Sequence, residues 1–499
     1  MGNRSKGIWK VISASSMGTL IEWYDFYIFG SLAVVISTKF FPSDNPTAAF
    51  LSTLATFAAG FVVRPFGALF FGRLGDLVGR KYTFMATLLL MGGATFLIGC
   101  VPSFESIGYL APILVLILRL LQGLALGGEY GGAATYVAEH APANQRGYWT
   151  SWIQTTATAG LFVSLMVILA TKNIVSEADF DNWGWRVPFW VSIVMVFVSY
   201  LIRKKMHESP EFAKAKSEGK TSKNPLKESF GNKYNLKFVL LALFGATMGQ
   251  GVVWYTGQFY AMSFMKTVLN IDSSQVDGLL GIALLMGTPF FVVFGWLSDK
   301  LGRKSIMMTG LLLAIVLYRP IYKSMYETVS TKHKEILKTW PDETTVDGKK
   351  NLNHITSVCD YSDGTHLKTV ATTDFNNASA PPEIKTTLTI HAHDKWWLIF
   401  LVFVQVIFVT MVYGPIAAFL VEMFPTKIRY TSMSLPYHVG NGIFGGLLPA
   451  ISTYFVANAK ANGDPEFYLE GLWYPIVIAA VCFAIGMIYL ERKNETAHN

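Results

Sequence analysis

The chain has 499 residues, of which 52% are hydrophobic and only 15% are charged, and its formal net charge is +8. Soluble domains carry about 25% charged residues, so this composition excludes an ordinary soluble enzyme. Its three cysteines are too few and too scattered for a disulfide-stapled secreted domain.

Long apolar runs account for this composition. A run of about 20 residues crosses a bilayer core of about 30 Å. Twelve such runs are present, and we number them as spans 1 to 12. They are roughly 11–37, 50–71, 82–101, 111–138, 150–171, 185–202, 238–265, 277–297, 305–324, 396–420, 431–456 and 468–490. The sequence therefore predicts an all-α membrane protein with twelve transmembrane helices.

Lysine and arginine predict its orientation, because short loops rich in these residues stay in the cytoplasm. Ten of them lie in 203–237, between spans 6 and 7. The short loops on the opposite side carry four in all: Lys39, Lys172, Lys266 and Lys460. We therefore expect both termini to be cytoplasmic, in a plasma membrane. This topology explains the positive charge without a nucleic-acid partner.

Span 1 carries two carboxylates near mid-membrane, Glu22 and Asp25. Residues three apart project from one helical face, and a carboxylate at this depth costs about 2.5–3.5 kcal/mol. Such groups either pack as buried, paired carboxylates or belong to a proton path. We favour the proton path.

Arg64, in span 2, lies two turns before the predicted cytoplasmic end. Its side chain would either extend to the inner surface or line a cavity as a fixed positive charge for an anionic substrate. The sequence leaves both alternatives open.

Arg119, in span 4, enters from the outer side to a depth comparable with that of Asp25. Buried charges persist when they are paired, so we expect an ion pair between them. Such a pair would act as a proton switch: protonation of Asp25 releases Arg119, and an arginine cannot lose its own proton.

The rest of span 4 is rich in glycine and polar residues. Gly123, Gly127 and Gly131 form a ridge of small residues that allows a neighbouring helix to approach closely. Gln122 and Glu129, seven residues apart, share a face of the same helix. We expect both at the site, with Glu129 as a further candidate for proton coupling.

Two internal repeats divide the chain into related halves. The pattern G-x-L-x-D-x-x-G-R-K begins at Gly72 and again at Gly295, which are 223 residues apart. The pattern E-x-x-P-x-x-x-R begins at Glu139 and again at Glu422, which are 283 residues apart. About 60 residues have therefore been added in the second half, and the polar segment 326–395 is where they fit. We expect it to form an extracytoplasmic loop or a small cap.

These loop repeats, with R-x-x-Q-G in span 4, resemble the major facilitator superfamily. Longer strings resemble its metabolite:proton symporter family, which includes permeases for 2-oxoglutarate, shikimate, citrate, and proline or glycine betaine. The strings begin at Ile21 (IEWYDF), Arg64 (RPFG), Gly127 (GGEYG) and Trp183 (WGWRVPF). The resemblance covers nearly all of the chain except 326–395.

The resemblance implies two six-helix bundles around a central cavity, working by alternating access with the proton as coupling ion and with no other cofactor. In the superfamily, the loop aspartate and arginine hold the halves together on the cytoplasmic side. That role falls here to Asp76, Arg80, Asp299 and Arg303, and we place Glu139 at the same gate.

Polar side chains within other spans complete the candidate site, although each could instead hold helices together. With Arg64, Arg119 and Gln122, they form the predicted substrate-binding set: Tyr24, Tyr130, Gln250, Tyr255, Gln258, Tyr413, Tyr437 and His438. His438 could titrate near neutral pH. We predict no metal site.

The sequence predicts five segments. They are an N-terminal bundle 1–202, a cytoplasmic linker 203–237, a C-terminal bundle 238–490, the insertion 326–395 within that bundle, and a cytoplasmic tail 491–499.

The sequence thus predicts a monomeric symporter, not an enzyme, that imports a small carboxylate such as a dicarboxylate, 2-oxoglutarate or a shikimate-like acid. A bacterial inner membrane is the expected location. Two alternatives remain open: a proline or glycine-betaine symporter, and a non-transporting nutrient sensor on the same fold.

Overall fold

A computed structural model describes residues 2–42, 46–347, 352–374 and 382–490. The predicted tail, 491–499, lies outside these residues. Ten helical segments of the described chain are each long and apolar enough to cross a membrane. They are Arg80–Ile98, Leu110–His140, Ala143–Ile174, Gly184–Lys204, Lys233–Thr267, Ser273–Leu301, Arg303–Val329, Ala392–Met423, Arg429–Ala461 and Phe467–Tyr489. They correspond to spans 3 to 12.

Spans 1 and 2 are both interrupted. Span 1 combines Gly7–Ser31 with Ala33–Phe40, which meet at an angle of 67°. Span 2 combines Pro46–Val62 with Arg64–Leu77. Pro65 accounts for this second break, because proline lacks the N–H that would continue the helix and fits best in a first turn. With these two spans, the predicted twelve-helix fold is confirmed.

Span 7 departs from regular helix in two places. π-Helical turns occupy Leu243–Thr247 and Thr256–Tyr260. A π-turn disturbs the backbone hydrogen-bond ladder and is frequently found at functional sites. Two tyrosines of span 9 donate to backbone carbonyls here, Tyr318 to Val253 O at 3.3 Å and Tyr322 to Thr256 O at 3.1 Å. A further π-helical segment, Gly440–Gly445, interrupts span 11.

The glycine ridge of span 4 packs as predicted against span 2 at two of its three positions. A Cβ at Gly123 would lie 2.0 Å from Gly60 O, and one at Gly127 would lie 2.2 Å from Arg64 O. Only glycine allows backbones to approach this closely. Gly131 faces span 11 instead, because its Cβ would meet Ser434 Oγ at 2.2 Å.

The connections between spans define two ends of the bundle. One end, the latch end, carries the two G-x-L-x-D-x-x-G-R-K loops and the segment between spans 6 and 7, which contains a helix at Pro210–Ser217 and a π-helical turn at Lys227–Gly231. The other end, the sheet end, carries the connection between spans 9 and 10. Short helices at Phe104–Ile107 and Glu177–Asn182 also lie at the sheet end.

The connection between spans 9 and 10 is an antiparallel β-sheet, where the sequence predicted only an outer loop or a small cap. Span 9 continues to Val329 and span 10 begins at Ala392, so the insertion is shorter than the predicted 326–395. Its strands are β1 (Ile336–Thr339), β2 (Glu343–Asp347), β3 (Leu352–Tyr361), β4 (His366–Asp374) and β5 (Glu383–Thr389).

The strand order of the sheet is β1-β3-β4-β5. β2 continues the edge that β1 begins, pairing with β3 from Glu343 opposite Thr356 to Asp347 opposite Leu352. β-Branched residues, which fit the pleated surface, make up seven of the nineteen residues of the central strands β3 and β4. The β3–β4 turn contains Asp363 and Gly364, whose φ of 84° suits glycine.

Candidate functional site

The predicted ion pair between spans 1 and 4 is present. Arg119 Nη1 lies 3.2 Å from Asp25 Oδ2, and both residues are almost completely buried. Arg119 Nη1 also donates to Gln122 Oε1 at 2.7 Å, while Gln122 Nε2 donates to Asp25 Oδ1 at 2.9 Å and to Thr95 Oγ1 at 2.7 Å. The Arg119 guanidinium also packs over the ring of Phe29, at 4.2 Å. The carboxylate thus has hydrogen bonds to both of its oxygens.

Glu22 and Arg64 form a second, looser pair toward the middle of the bundle. Arg64 Nη1 lies 3.8 Å from Glu22 Oε1, which is beyond hydrogen-bond distance. The guanidinium packs over the ring of Phe61, at 4.2 Å, and Arg64 Nε is buried without a hydrogen-bond partner. Of the two predicted alternatives, Arg64 therefore points into the bundle. A loosely held, partly unsatisfied guanidinium is suited to bind an anionic group.

Glu129 lies apart from these pairs and has its own partner. Arg203, at the latch end of span 6, donates to Glu129 Oε1 at 2.5 Å, and Thr87 donates to Glu129 Oε2 at 2.7 Å. Arg203 is fully buried over the ring of Phe84. Arg203 was missed from the sequence because a basic residue at the end of a span also has a plain explanation as an orientation signal.

Stacked tyrosines from both halves lie on the latch side of Glu22 and Arg64. The rings of Tyr130 and Tyr437 are 3.7 Å apart and nearly parallel. The hydroxyl oxygens of Tyr413 and Tyr437 are 2.5 Å apart, and Gln154 Nε2 donates to Tyr130 Oη at 2.7 Å. This stack brings together three of the predicted residues and closes the site in the direction of the latch end.

Aromatic rings also close the site toward the sheet end. Trp23 of span 1 contacts Trp254 of span 7, with ring centroids 5.1 Å apart, and Phe26 contacts Phe259 at 5.7 Å. Trp254 Nε1 is buried without a hydrogen-bond partner. These four residues were not predicted, because an aromatic ring within a span gives no sign of its direction.

The remaining predicted residues fall into two groups. Tyr255, Gln258 and His438 are buried on spans 7 and 11, and Tyr255 and His438 lie within electrostatic range of Arg64 of the N-terminal half. The other two connect helices. Gln250 exchanges two side-chain hydrogen bonds with Asn441, at 2.9 and 3.1 Å, and Tyr24 donates to Pro188 O at 2.6 Å. Their hydrogen bonds hold span 7 to span 11 and span 1 to span 6.

At the latch end, the two loop aspartates each bind the opposite half. Asp76 accepts hydrogen bonds from the backbone N–H groups of Tyr430 at 3.3 Å and Thr431 at 2.8 Å, in the first turn of span 11. Asp299 accepts equivalent bonds from Gly147 at 2.9 Å and from the next residue at 2.8 Å, in the first turn of the helix Arg146–Gln154. The N-terminus of a helix favours a negative charge, so each aspartate caps a helix across the interface.

Arginines and glutamates complete this network, which we call the latch. Within each half, Arg80 lies 2.8 Å from Asp76 and 3.5 Å from Glu139, while Arg303 lies 2.5 Å from Asp299 and 3.0 Å from Glu422. The latch therefore contains all five residues predicted at the gate.

Two further arginines of the latch belong to the second repeat but were not predicted to have a role. Arg429 lies 2.8 Å from Glu139, across the two halves, and 2.6 Å from Glu211. Arg146, its counterpart in the first half, also pairs with Glu211. Glu211 belongs to the linker helix, so the linker contributes a carboxylate that contacts both halves.

The sequence of this chain is similar to those of known membrane transporters. The family model described as "Sugar (and other) transporter" matches residues 10–232. The metabolite transport protein YhjE of Escherichia coli is 30% identical, with 98% of this chain and 94% of the relative covered. The alpha-ketoglutarate permease of E. coli is 28% identical, with coverage of 98% and 94%. The proline/betaine transporter of E. coli is also 28% identical, with coverage of 97% and 84%.

Solved structures share the fold. The proton:xylose symporter XylE superimposes with a TM-score of 0.70 over 99% of this chain and 98% of that one, at 14% sequence identity. The relatives named here are described as transport proteins and permeases, and none of them as an enzyme.

Proposed function

Because this chain belongs to the sugar (and other) transporter family of the major facilitator superfamily, we propose that it is a proton-coupled symporter that imports a small organic anion by alternating access. The chain is a multi-pass membrane transporter and not an enzyme. The observation that carries the proposal is the buried pair of Asp25 and Arg119.

Asp25 is the proposed proton carrier. Removing one charge of a buried pair strongly destabilises the other, by about 3–5 kcal/mol. Protonation of Asp25 therefore leaves Arg119 as an uncompensated cation, since arginine keeps its proton. An anionic substrate can supply the lost negative charge, so proton binding and anion binding favour each other.

Arg64 is the proposed second contact for the substrate. It lies one helical turn beyond Gly60, and a Cβ at Gly60 would be only 3.9 Å from Arg119 Nε. The two arginines thus occupy neighbouring positions where spans 2 and 4 meet. With Asp25 protonated, two guanidinium groups would face the site, which suits two carboxylates, as in a dicarboxylate or 2-oxoglutarate. The similarity to an alpha-ketoglutarate permease supports this choice.

Glu22 supports a second candidate, a zwitterionic osmolyte. A carboxylate beside Arg64 could bind a substrate ammonium group, and aromatic faces such as those of Trp23 and Trp254 attract cations. The similarity to a proline/betaine transporter is in keeping with it. Glu22 and Glu129 were also predicted as proton carriers. Glu129 already has Arg203 as its partner, so we give it a supporting role in this scheme.

Alternating access would be provided by the two closures around this site. The latch holds the halves together at one end, which we propose to be cytoplasmic, as the basic linker predicts. The contacts between spans 1 and 7 close the other end. Substrate release then requires the latch to open while the aromatic contacts persist.

Uptake into proteoliposomes tests this function. Purified protein would be supplied with labelled 2-oxoglutarate, citrate, shikimate, proline and glycine betaine, with and without an inward proton gradient. We expect the gradient to drive accumulation of one or more carboxylates. Accumulation of proline or betaine alone would select the second candidate, and uptake that ignores the gradient would contradict proton coupling.

A further inference from the structure

The inserted sheet is hydrogen-bonded to the loop between spans 7 and 8, although the sheet and this loop are far apart in the sequence. Leu388 of β5 donates from its backbone N–H to Asn270 O at 2.7 Å, and Asp272 N–H donates to Leu388 O at 2.9 Å. These bonds form a parallel bridge between Ile271 and Leu388. Both side chains are almost completely buried. We call this contact the strap.

A second contact fixes the same corner of the sheet to span 8. The side chain of Gln275, in the first turn of span 8, donates to Ile390 O at 3.2 Å and accepts from Ile390 N–H at 2.9 Å. The strap and this amide together hold both the end of span 7 and the beginning of span 8. Because the strap is made by backbone atoms on both sides, β5 has little freedom to slide along the segment between spans 7 and 8.

The base of the sheet is tied to spans 9 and 10 by a lysine. Lys334 Nζ, just after span 9, lies 2.6 Å from Asp363 in the β3–β4 turn and 2.8 Å from Asp394 in the first turn of span 10. Burial raises the pKa of Asp363, but hydrogen bonds from Lys334 and Thr365 outweigh it and bring the pKa to about 2. The pair with Lys334 therefore stays ionised at any pH that a cell surface meets.

Span 7 has a built-in place to bend below the strap. The π-helical turn Thr256–Tyr260 contains Phe259, which contacts span 1. The Tyr322 hydroxyl of span 9 holds the carbonyl of Thr256 at the start of this turn. The helix end beyond the turn, Ala261–Thr267, leads directly to the strap.

We propose that the sheet is a brace that holds the end of span 7 against spans 8, 9 and 10 throughout the transport cycle. The site then opens at the sheet end through bending at Thr256–Tyr260 and movement of the N-terminal half, while the strap stays intact. The proposal depends on alternating access and not on the identity of the substrate.

A disulfide across the strap tests whether it persists. In a background in which Cys100, Cys359 and Cys482 are replaced by serine, Ile271→Cys and Leu388→Cys would be introduced together and oxidised. We expect uptake within about twofold of the reduced protein. The matched pair Phe26→Cys and Phe259→Cys links the two halves, and its oxidation should abolish uptake until a reductant is added. Loss of uptake on oxidation of the strap pair would overturn the proposal.

Two proline substitutions on β5 test whether the strap matters, without any substrate. Backbone groups of alternate residues on an edge strand point away from its neighbour. The N–H groups of Leu388 and Thr386 therefore point to the same side, but the strap uses only that of Leu388. Leu388→Pro removes the strap donor, whereas Thr386→Pro removes an N–H that contributes neither to the strap nor to the β4–β5 ladder.

The readout is the labelling rate of Gln258→Cys by a maleimide in nanodiscs. Gln258 is buried and lies within the π-helical turn, so its modification reports opening at the sheet end. We expect Leu388→Pro to raise this rate about tenfold and Thr386→Pro to leave it unchanged. Equal rates in the two variants would contradict the brace. Because this assay needs no transport, it decides the matter even if every substrate of the uptake panel fails.

Discussion

The latch end and the sheet end close the same site by different means. At the latch end, buried charges and helix N-termini meet across the two halves, and each half supplies an aspartate, an arginine and a glutamate at equivalent positions. At the sheet end, aromatic rings meet across the halves, and the polar contacts of the described residues of the sheet are with the C-terminal half. Removing one partner of a buried ion pair costs the closed form about 3–5 kcal/mol of stability. Removing one ring of an aromatic contact costs it less, about 0.5–1.5 kcal/mol beyond the buried area. This difference predicts how far a single substitution can shift the equilibrium between open and closed forms.

The largest expected effect is that of Asp76→Ala at the latch. This change leaves Arg80 without its nearest carboxylate and two backbone N–H groups of span 11 without an acceptor. We expect the free energy of the latch-closed form to rise by about 3 kcal/mol relative to the open form, which raises the open population roughly a hundredfold. Single-molecule energy transfer between dyes on exposed Arg73→Cys and Lys300→Cys would measure it.

Asp299→Ala is the matched control for the repeat. Because Asp299 caps the equivalent helix, we expect a shift in the same direction and of similar size. If only one aspartate of the two mattered, the proposed equivalence of the halves at the latch would be wrong.

A smaller effect, in the opposite direction, is expected from Trp254→Ala at the sheet end. The loss of the ring contact with Trp23 should favour opening at this end by about 1 kcal/mol, or roughly fivefold. Dyes on the exposed positions Thr38→Cys and Thr267→Cys would report it. Phe70→Ala, which removes a ring that faces outward, should have no effect. An opening at the latch end in Trp254→Ala would contradict the assignment of these rings.

The smallest effect is expected from Tyr437→Phe. This change removes the hydroxyl contact with Tyr413 but keeps the ring stacked on Tyr130. A hydrogen bond of this kind contributes about 1 kcal/mol, so thermal unfolding should shift by only a few degrees. Tyr437→Ala removes the stack as well and should shift it further. An equal shift in both variants would show that the stack contributes nothing.

The repeats and charges of the sequence, with the resemblance to the superfamily, were sufficient to predict the spans, the pair of Asp25 and Arg119, and five residues of the latch. Each of these depends on depth along a helix or on a repeated motif, which can be read without knowing how a helix is rotated. Tyr24 and Gln250 show the limit of that approach. Both are polar residues within spans that were predicted to bind substrate, but each forms its hydrogen bond with a neighbouring helix. The rotation of the helix decides whether such a side chain faces the site or a neighbouring helix.

The sheet was missed for a different reason. Hydropathy separates spans from polar segments but does not distinguish a strand from a loop. The β-branched residues of His366–Asp374 and the Asp363-Gly364 turn are strand and hairpin signals. They were present in the sequence and would have predicted part of the sheet. Its strap to Asn270 could not be predicted, because no pattern relates the two segments.

The most direct test of the proposed coupling compares Asp25→Asn with Glu22→Gln in proteoliposomes. Two activities would be measured for a transported substrate: accumulation driven by a proton gradient, and exchange of internal for external substrate at equal pH. If Asp25 carries the proton, Asp25→Asn should lose accumulation and keep exchange, while Glu22→Gln should keep both. Gradient-driven accumulation by Asp25→Asn at the wild-type level would contradict the account.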